Sequence, residues 1–268
     1  MVPADAALHQ QLADELWEAD RSAKPVAPLT DRHADLGIED AYAIQTVNIE
    51  RRKAAGQRVI GRKVGLTSKP MQELLGVDEP DFGVLTDEML VEDGDLIELS
   101  RLVQPRVEAE LAFVMARDLA GPGIGAATAL DAIAGVLPAV EIVDSRVADW
   151  KIKLVDTVAD NASSGLFVIG GRMRPVADLD LRLLGVAVTR NGELLDTGAG
   201  AAILGNPARC VAWLANKLGT LGEGLKAGDI VLPGAVHKMV PAKPGDVFRA
   251  EYAHLGAVTV RFSKEGSQ

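Results

Sequence analysis

The 268-residue chain is predicted to be an α+β protein, with a mainly helical N-terminal portion (residues 1–80) leading into a mixed, mostly antiparallel β core (residues 81–268). Three observations carry that reading. Apolar residues recur at helical spacing near the N-terminus, at Leu8, Leu12, Leu16 and Trp17. From about residue 84 onward the apolar runs are short and follow turn signals, as in Asp93-Gly-Asp95, Ala227-Gly-Asp229 and Pro244-Gly-Asp246. The run from Val186 to Leu195 carries Asn191-Gly192 at its centre, the pair that a two-residue type I′ hairpin turn requires.

The elements follow in order. A helix is expected over residues 5–21, ended by Pro25 and Pro28. A second runs from Ile38 to Ala55, with Gly56 where a left-handed C-terminal cap belongs. Arg58 to Val64 reads as a strand, and a short helix after it, capped by Ser68, ends near Gly76. Val107–Met115 and Leu137–Val143 are strand-like apolar runs. One long helix interrupts the β region, with Asn206 as its cap, Pro207 in its first position and Gly219 closing it. No repeat, low-complexity tract or linker divides the chain, so residues 1–268 are read as one domain.

Composition removes several function classes. The formal net charge of −10 argues against a nucleic-acid binder, which would carry a basic face; Glu50-Arg-Arg-Lys53 reads as a solvated helix end. No apolar stretch is long enough to cross a bilayer and no signal-peptide segment opens the chain, so a cytoplasmic location is expected. Hydrophobic residues make up 48% of the chain but aromatics only 4%, so Ala, Val and Leu must fill the core. The single cysteine, Cys210, sits in a helix-like context as a small apolar residue, not a nucleophile.

Three carboxylates stand inside strand-like runs. In Val107-Glu-Ala-Glu-Leu-Ala-Phe-Val-Met115, period-two geometry puts Glu108 and Glu110 on one face and Val107, Ala109, Leu111, Phe113 and Met115 on the other. Two like charges about 7 Å apart along a strand repel unless a positive charge lies between them. A hard divalent cation would satisfy both, with Glu141 adding a third oxygen from another strand. The other reading has two solvated glutamates on an edge strand, with Glu141 paired to Arg106 or Arg146.

Other patterns carry less. Gly121-Pro-Gly-Ile-Gly-Ala126 lacks the last glycine of a dinucleotide fingerprint and loses an amide to Pro122, so it reads as a loop. Asp196-Thr-Gly has no second copy to share a proton as an aspartic protease needs. Four scattered histidines and one cysteine do not make a zinc site, and no G-x-S-x-G elbow is present. Lys63, between Gly61 and Gly65 in an apolar strand, either snorkels to solvent or faces the carboxylates. Residues 144–165 read either as a polar surface loop or as a functional segment.

Taken together, Gly61–Ser68, Gly76–Asp87, Gln104–Glu110, Val143–Lys153, Asp156–Gly165 and Leu232-Pro-Gly with Pro241–Asp246 resemble the 2-hydroxypenta-2,4-dienoate (2-keto-4-pentenoate) hydratases of the fumarylacetoacetate-hydrolase superfamily. The likeness covers nearly the whole chain. It implies a β-roll core with N-terminal helices, Mg²⁺ or Mn²⁺ at Glu108, Glu110 and Glu141, and a homo-oligomer that can associate with another enzyme of the same route. The implied reaction is hydration of a 2-hydroxydienoate to 4-hydroxy-2-oxopentanoate in meta-cleavage degradation of aromatic compounds. Lys63 and Asp81 are then expected to carry the proton transfers, and Asn161 and Ser163 to position substrate.

The same resemblance leaves rivals. Decarboxylation of 2-oxo-3-hexenedioate is a sister activity, and its second carboxylate should want a cation from Lys151, Lys153 or Arg146. Hydrolysis of an acylpyruvate lacks an evident His–Glu pair, since His33 stands in a polar stretch. A non-catalytic partner subunit would not need three buried carboxylates.

Overall fold

The computed structural model describes residues 6–264. Its first layer is helical. α1 (Ala6–Ser22), α2 (Leu29–Arg32) and α3 (Ile38–Ala54) pack through Leu12, Leu16, Leu29, Ala41 and Ile44. The expected helix over 5–21 is thus present from Ala6, while its first residue, Asp5, lies outside the described residues. Gly56 takes φ +98° after α3, as a left-handed cap requires. α4 (Lys69–Leu75) ends on Gly76 at φ +64°. Ser68 occupies its N-cap position, but its side chain makes no capping hydrogen bond, contrary to expectation.

Two mixed sheets form the rest. The larger contains β1 (Val59–Gly65), β2 (Asp81–Thr86), β3 (Leu90–Val91), β5 (Arg106–Met115), β6 (Ile133–Val143), β7 (Ser164–Ile169), β10 (Ile230–Leu232) and β11 (Val240–Pro241). Its order is β2-β1-β10-β5-β6-β7-β3, with β11 also on β5; only β1–β10 and β3–β7 are parallel. The smaller, in the order β4-β13-β12-β8-β9, contains β4 (Leu96–Ile97), β8 (Gly185–Arg190), β9 (Glu193–Ala199), β12 (Val247–Tyr252) and β13 (Gly256–Phe262). Gly94, Gly228 and Gly245 all adopt positive φ at the three turns read from sequence, ahead of β4, β10 and β12. Asn191 and Gly192 take φ +56° and +86° between β8 and β9, the type I′ geometry.

The apolar faces of both sheets meet in the main core. Val107, Ala109, Leu111 and Phe113 of β5 lie at 0–1% exposure, packed in one cluster with Phe248, Val258 and Val260 of the smaller sheet. α7 (Pro207–Thr220) adds Cys210, Val211, Leu214 and Leu218 to that cluster. Asn206 caps α7 by accepting the Ala208 N–H. The helix runs past Gly219 to Thr220, so Gly219 is not its stop. A Cβ there would lie 2.9 Å from the backbone of Gly121; the glycine permits close contact between two backbones.

Three short helices have no counterpart among the sequence expectations: α2, α5 (Ala126–Asp131) and α6 (Leu154–Ala159). α6 lies within 144–165, which is no surface loop over most of its length. Asp144–Val147, Asp156–Asp160 and Ala162–Ser164 are all buried. Asp156 fixes α6 by accepting Lys153 N–H, Thr30 N–H and the Thr30 hydroxyl at 2.7–3.0 Å. Gln45 of α3 donates to Phe82 O and Val158 O, tying the helical layer to β2 and α6. Tyr42 of α3 also stacks on the Phe82 ring of β2, with centroids 4.7 Å apart.

Candidate metal centre and active site

β5 and β6 pair antiparallel with Glu108 directly opposite Glu141, and the two-residue period brings Glu110 onto the same face. Oxygens of Glu108, Glu110 and Glu141 all lie within 4.8 Å of one another. Glu110 and Glu141 are each 1% exposed, while Glu108 is half-buried. Arg106 and Arg146 do not partner Glu141. Arg106 stacks over the Trp150 ring at 4.4 Å, and Arg146 bonds Asp160.

The cation beside Glu141 is Lys63. Its Nζ stands 3.3 Å from Glu141 Oε1 and donates to Ala162 O at 3.0 Å, and the residue is 4% exposed. Lys63 therefore does not snorkel. Lys63 stands between two glycines of β1 for a reason: a Cβ at Gly61 would lie 2.0 Å from Ile230 O, and one at Gly65 would lie 2.2 Å from Asp81 Oδ1. Asp81 faces Gly65 across the β1–β2 pair, 2% exposed.

The electrostatics follow from burial. Loss of water, then the charge of Glu141, push the Glu108 carboxyl from its usual 4.5 up to about 7. Glu110 is raised further by burial and by both neighbouring glutamates. Burial also raises Asp81, against the pull of Lys63. Burial alone would lower Lys63, but Glu141, Asp81, Glu108 and Glu110 outweigh it and hold the ammonium charged.

One cation does not balance four carboxyl groups. Glu141 Oε2 and Asp81 Oδ1 are buried without hydrogen-bond partners, and Glu141 Oε1 has the Lys63 ammonium at 3.3 Å. An all-oxygen, highly anionic donor set with free lone pairs fits a hard divalent ion such as Mg²⁺, with Glu108, Glu110 and Glu141 as ligands.

Asn161 and Ser163 lie next to this cluster. The Asn161 amide is engaged by the backbone of Val84, accepting its N–H at 2.8 Å and donating to its carbonyl at 2.9 Å. Ser163 is 3% exposed, with its hydroxyl 3.2 Å from that of Thr157.

Several supports escape a reading of the sequence. Gly234 donates its N–H to Glu110 Oε2 at 2.8 Å; its φ is +118°, and a Cβ would meet Thr67 Oγ1 at 2.0 Å. Its place in Leu232-Pro-Gly is the one signal that points to it. His237 Nε2 accepts the Ala109 N–H at 2.8 Å, between the two strand glutamates, and nothing in the pattern marks it. Asp144 accepts the N–H groups of Val103 and Gln104 just before β5. The buried Arg146–Asp160 pair is hidden in a polar stretch that resembles a loop by composition.

Residues 51–263 match the family described as fumarylacetoacetate (FAA) hydrolase C-terminal. Over 253 residues, 94% of each chain, the sequence is 50% identical to a 2-keto-4-pentenoate hydratase of Paraburkholderia xenovorans (strain LB400). It is 48% identical to a 2-hydroxyhexa-2,4-dienoate hydratase of Comamonas testosteroni, covering 93% of this chain and 95% of that one. Among solved structures it is similar to the 4-oxalocrotonate decarboxylase of Pseudomonas putida G7, complexed with magnesium and adipate. The TM-score is 0.95 at 38% identity, over 97% of this chain and 98% of that one. The chain belongs to the fumarylacetoacetate hydrolase C-terminal family, on the side of its hydratases.

Proposed function

We propose that the protein is a divalent-metal-dependent hydro-lyase that hydrates 2-hydroxypenta-2,4-dienoate to 4-hydroxy-2-oxopentanoate. The observation that carries this reading is the buried Glu108–Glu110–Glu141 cluster with Lys63 and Asp81 beside it. The names of the relatives at about half identity support it. Bound at the three glutamates, Mg²⁺ or Mn²⁺ would act as a Lewis acid toward the adjacent carboxylate and 2-oxygen of the substrate.

The remaining work is proton transfer. The substrate must lose its 2-hydroxyl proton and gain one at C5, which leaves a 3-alkene conjugated to the 2-oxo group. Water then bonds to C4 through its oxygen, and its proton is made up at C3. Asp81, raised above the usual carboxylate range by burial and with Oδ1 lacking a hydrogen-bond partner, suits a group that alternates between acid and base. Lys63, charged at rest, balances the developing negative oxygen, and would give up and regain a proton in turn with Asp81. Ser163 and the turn that carries it form the wall over Lys63.

Decarboxylation of a dicarboxylate is the second reading, favoured by the similarity in fold to the decarboxylase. Of the cations that could meet a distal carboxylate, Arg146 is held by Asp160 in a buried pair, while Lys151 and Lys153 stand in exposed pairs with Asp149 and Asp31. The names of the curated relatives favour the hydratase reading. No helix among the described residues is long and apolar enough to cross a membrane. A cytoplasmic homo-oligomer able to associate with another enzyme of the route completes the proposal.

The test follows the loss of dienol absorbance with Mg²⁺ and identifies the product. Conversion to 4-hydroxy-2-oxopentanoate that disappears on metal removal and in Glu108→Ala supports the assignment. Release of carbon dioxide from 2-oxo-3-hexenedioate without hydration of the dienoate would replace it with the decarboxylase.

A further inference from the structure

The backbone between α6 and β7 holds three consecutive non-glycine residues in the left-handed region: Asn161 at φ +55°, Ala162 at +51° and Ser163 at +53°. For L-residues this conformation is disfavoured by contact of Cβ with the backbone, least for asparagine, so the strain of this run falls mainly on Ala162 and Ser163. Such a run persists only where surrounding structure over-determines it.

Here it is held at both ends and from below. The buried Arg146 guanidinium donates to Asp160 O at 2.6 Å and to Ser164 O at 2.7 Å, spanning the turn from its first flank to its last. Its Nε and its backbone N–H bond the Asp160 carboxylate. Ser163 N–H donates to Asp160 O, and Asp144 N–H donates to Ser163 O. The Asn161 amide grips both polar groups of the Val84 backbone on β2. Gly83 makes room, since a Cβ there would lie 2.4 Å from Asn161 O. Gly83 is also the residue paired with Lys63, so the turn sits over that lysine.

The group this turn presents to the site is the Ala162 carbonyl, which accepts from Lys63 Nζ at 3.0 Å. A right-handed turn over the same residues would direct that carbonyl away. We infer that Asn161 and Arg146 are positioning residues for Lys63: they hold a strained left-handed turn whose Ala162 carbonyl keeps the ammonium beside Glu141. Asn161 thus acts through the turn instead of through contact with substrate. The kinetic arm of this inference rests on the hydratase reading; the structural arm does not.

Glycine separates the two roles, because it adopts positive φ without strain. Asn161→Ala removes the clamp and leaves at that position a residue that tolerates positive φ less well. Asn161→Gly removes the clamp together with the strain at that residue. Ala162→Gly, added to Asn161→Ala, relieves the neighbouring residue. The expected result is a kcat reduced about tenfold or more in Asn161→Ala with KM changed less than about threefold, and recovery of most of the loss in Asn161→Gly and in the double variant. Crystal structures should show Lys63 withdrawn from Ala162 O in Asn161→Ala and restored in the other two. Equal impairment of all three variants, with the turn and Lys63 unmoved, would overturn the inference and assign Asn161 to substrate contact. If the wild-type chain hydrates no dienoate, the hydratase reading falls, and the position of Lys63 in the crystal structures decides this inference by itself.

Discussion

Glu108 of β5 and Glu141 of β6 are paired residues on adjacent antiparallel strands, so the sheet itself holds two carboxylates face to face. Cross-strand neighbours lie about 4.5–5.5 Å apart at Cβ, a separation at which like charges destabilise the pair. Protons or a metal ion must relieve it, and the two compete.

The first consequence is a pH-dependent metal affinity. Glu108 is raised to about 7 in the metal-free site, and Glu110 stands well above the usual carboxylate value. A divalent ion requires the ionised carboxylates, so binding must expel protons below about pH 7. The apparent Mg²⁺ affinity should rise steadily from about pH 5.5 to 8, with proton release shrinking as pH increases. Titration calorimetry in buffers of different ionisation enthalpy measures both, and a pH-independent affinity would contradict the proposed site.

The same carboxylates set the stability of the metal-free chain. Their folded-state pKa values exceed the unfolded ones, so the folded state binds more protons between about 4.5 and 7. Metal-free stability must therefore fall as pH rises through that window. Glu110→Gln removes one charge and keeps an oxygen for the Gly234 N–H. At about pH 8 the metal-free variant should melt higher than wild type, at roughly 2–4 °C per kcal/mol of repulsion relieved. Near about pH 4.5 the difference should vanish, and the variant should lose most of the thermal shift that Mg²⁺ gives the wild type.

Lys63→Met separates binding from chemistry. Removing a proton-transfer group typically costs about 10²–10⁴-fold in rate. Removing a cation 3.3 Å from Glu141 also makes the site more anionic, so Mg²⁺ should bind more tightly while turnover collapses. Weaker Mg²⁺ binding together with lost activity would instead mean that Lys63 maintains the architecture of the metal site.

What is legible in the sequence is what local geometry dictates. The period of two puts Glu108 and Glu110 on one face without knowledge of any partner strand. Asn191-Gly192 and the three Gly-Asp turns declare themselves because few residues tolerate positive φ. Glu141 is recognisable as a ligand candidate, but its register opposite Glu108 depends on strand pairing that no local pattern encodes. Residues 144–165 are ambiguous because a buried, fully partnered Arg146–Asp160 pair has the same composition as a solvated loop. Lys63 keeps two readings for the same reason: its polar partners come from Glu141 and Ala162, far along the chain.

Gly219 shows the limit most clearly and yields the last prediction. Near the end of an apolar helical pattern it reads as a stop, whereas the stop lies beyond it and Gly222 takes the left-handed φ of +75°. In an exposed helix, alanine in place of glycine would stabilise by about 1 kcal/mol. At Gly219 the added Cβ would lie 2.9 Å from Gly121 C and O, backbone atoms with no rotamer to yield. Gly219→Ala should therefore destabilise, by about 1–3 kcal/mol as other overpacked sites do. A Cβ at Gly222 would meet nothing within 4 Å, so only the backbone conformation resists substitution there. Asparagine tolerates that conformation better than most residues. Denaturant titration should find Gly222→Asn close to wild type and Gly219→Asn clearly weakened. The reverse order would mean that α7 ends at Gly219 in solution and that its contact with Gly121 contributes nothing.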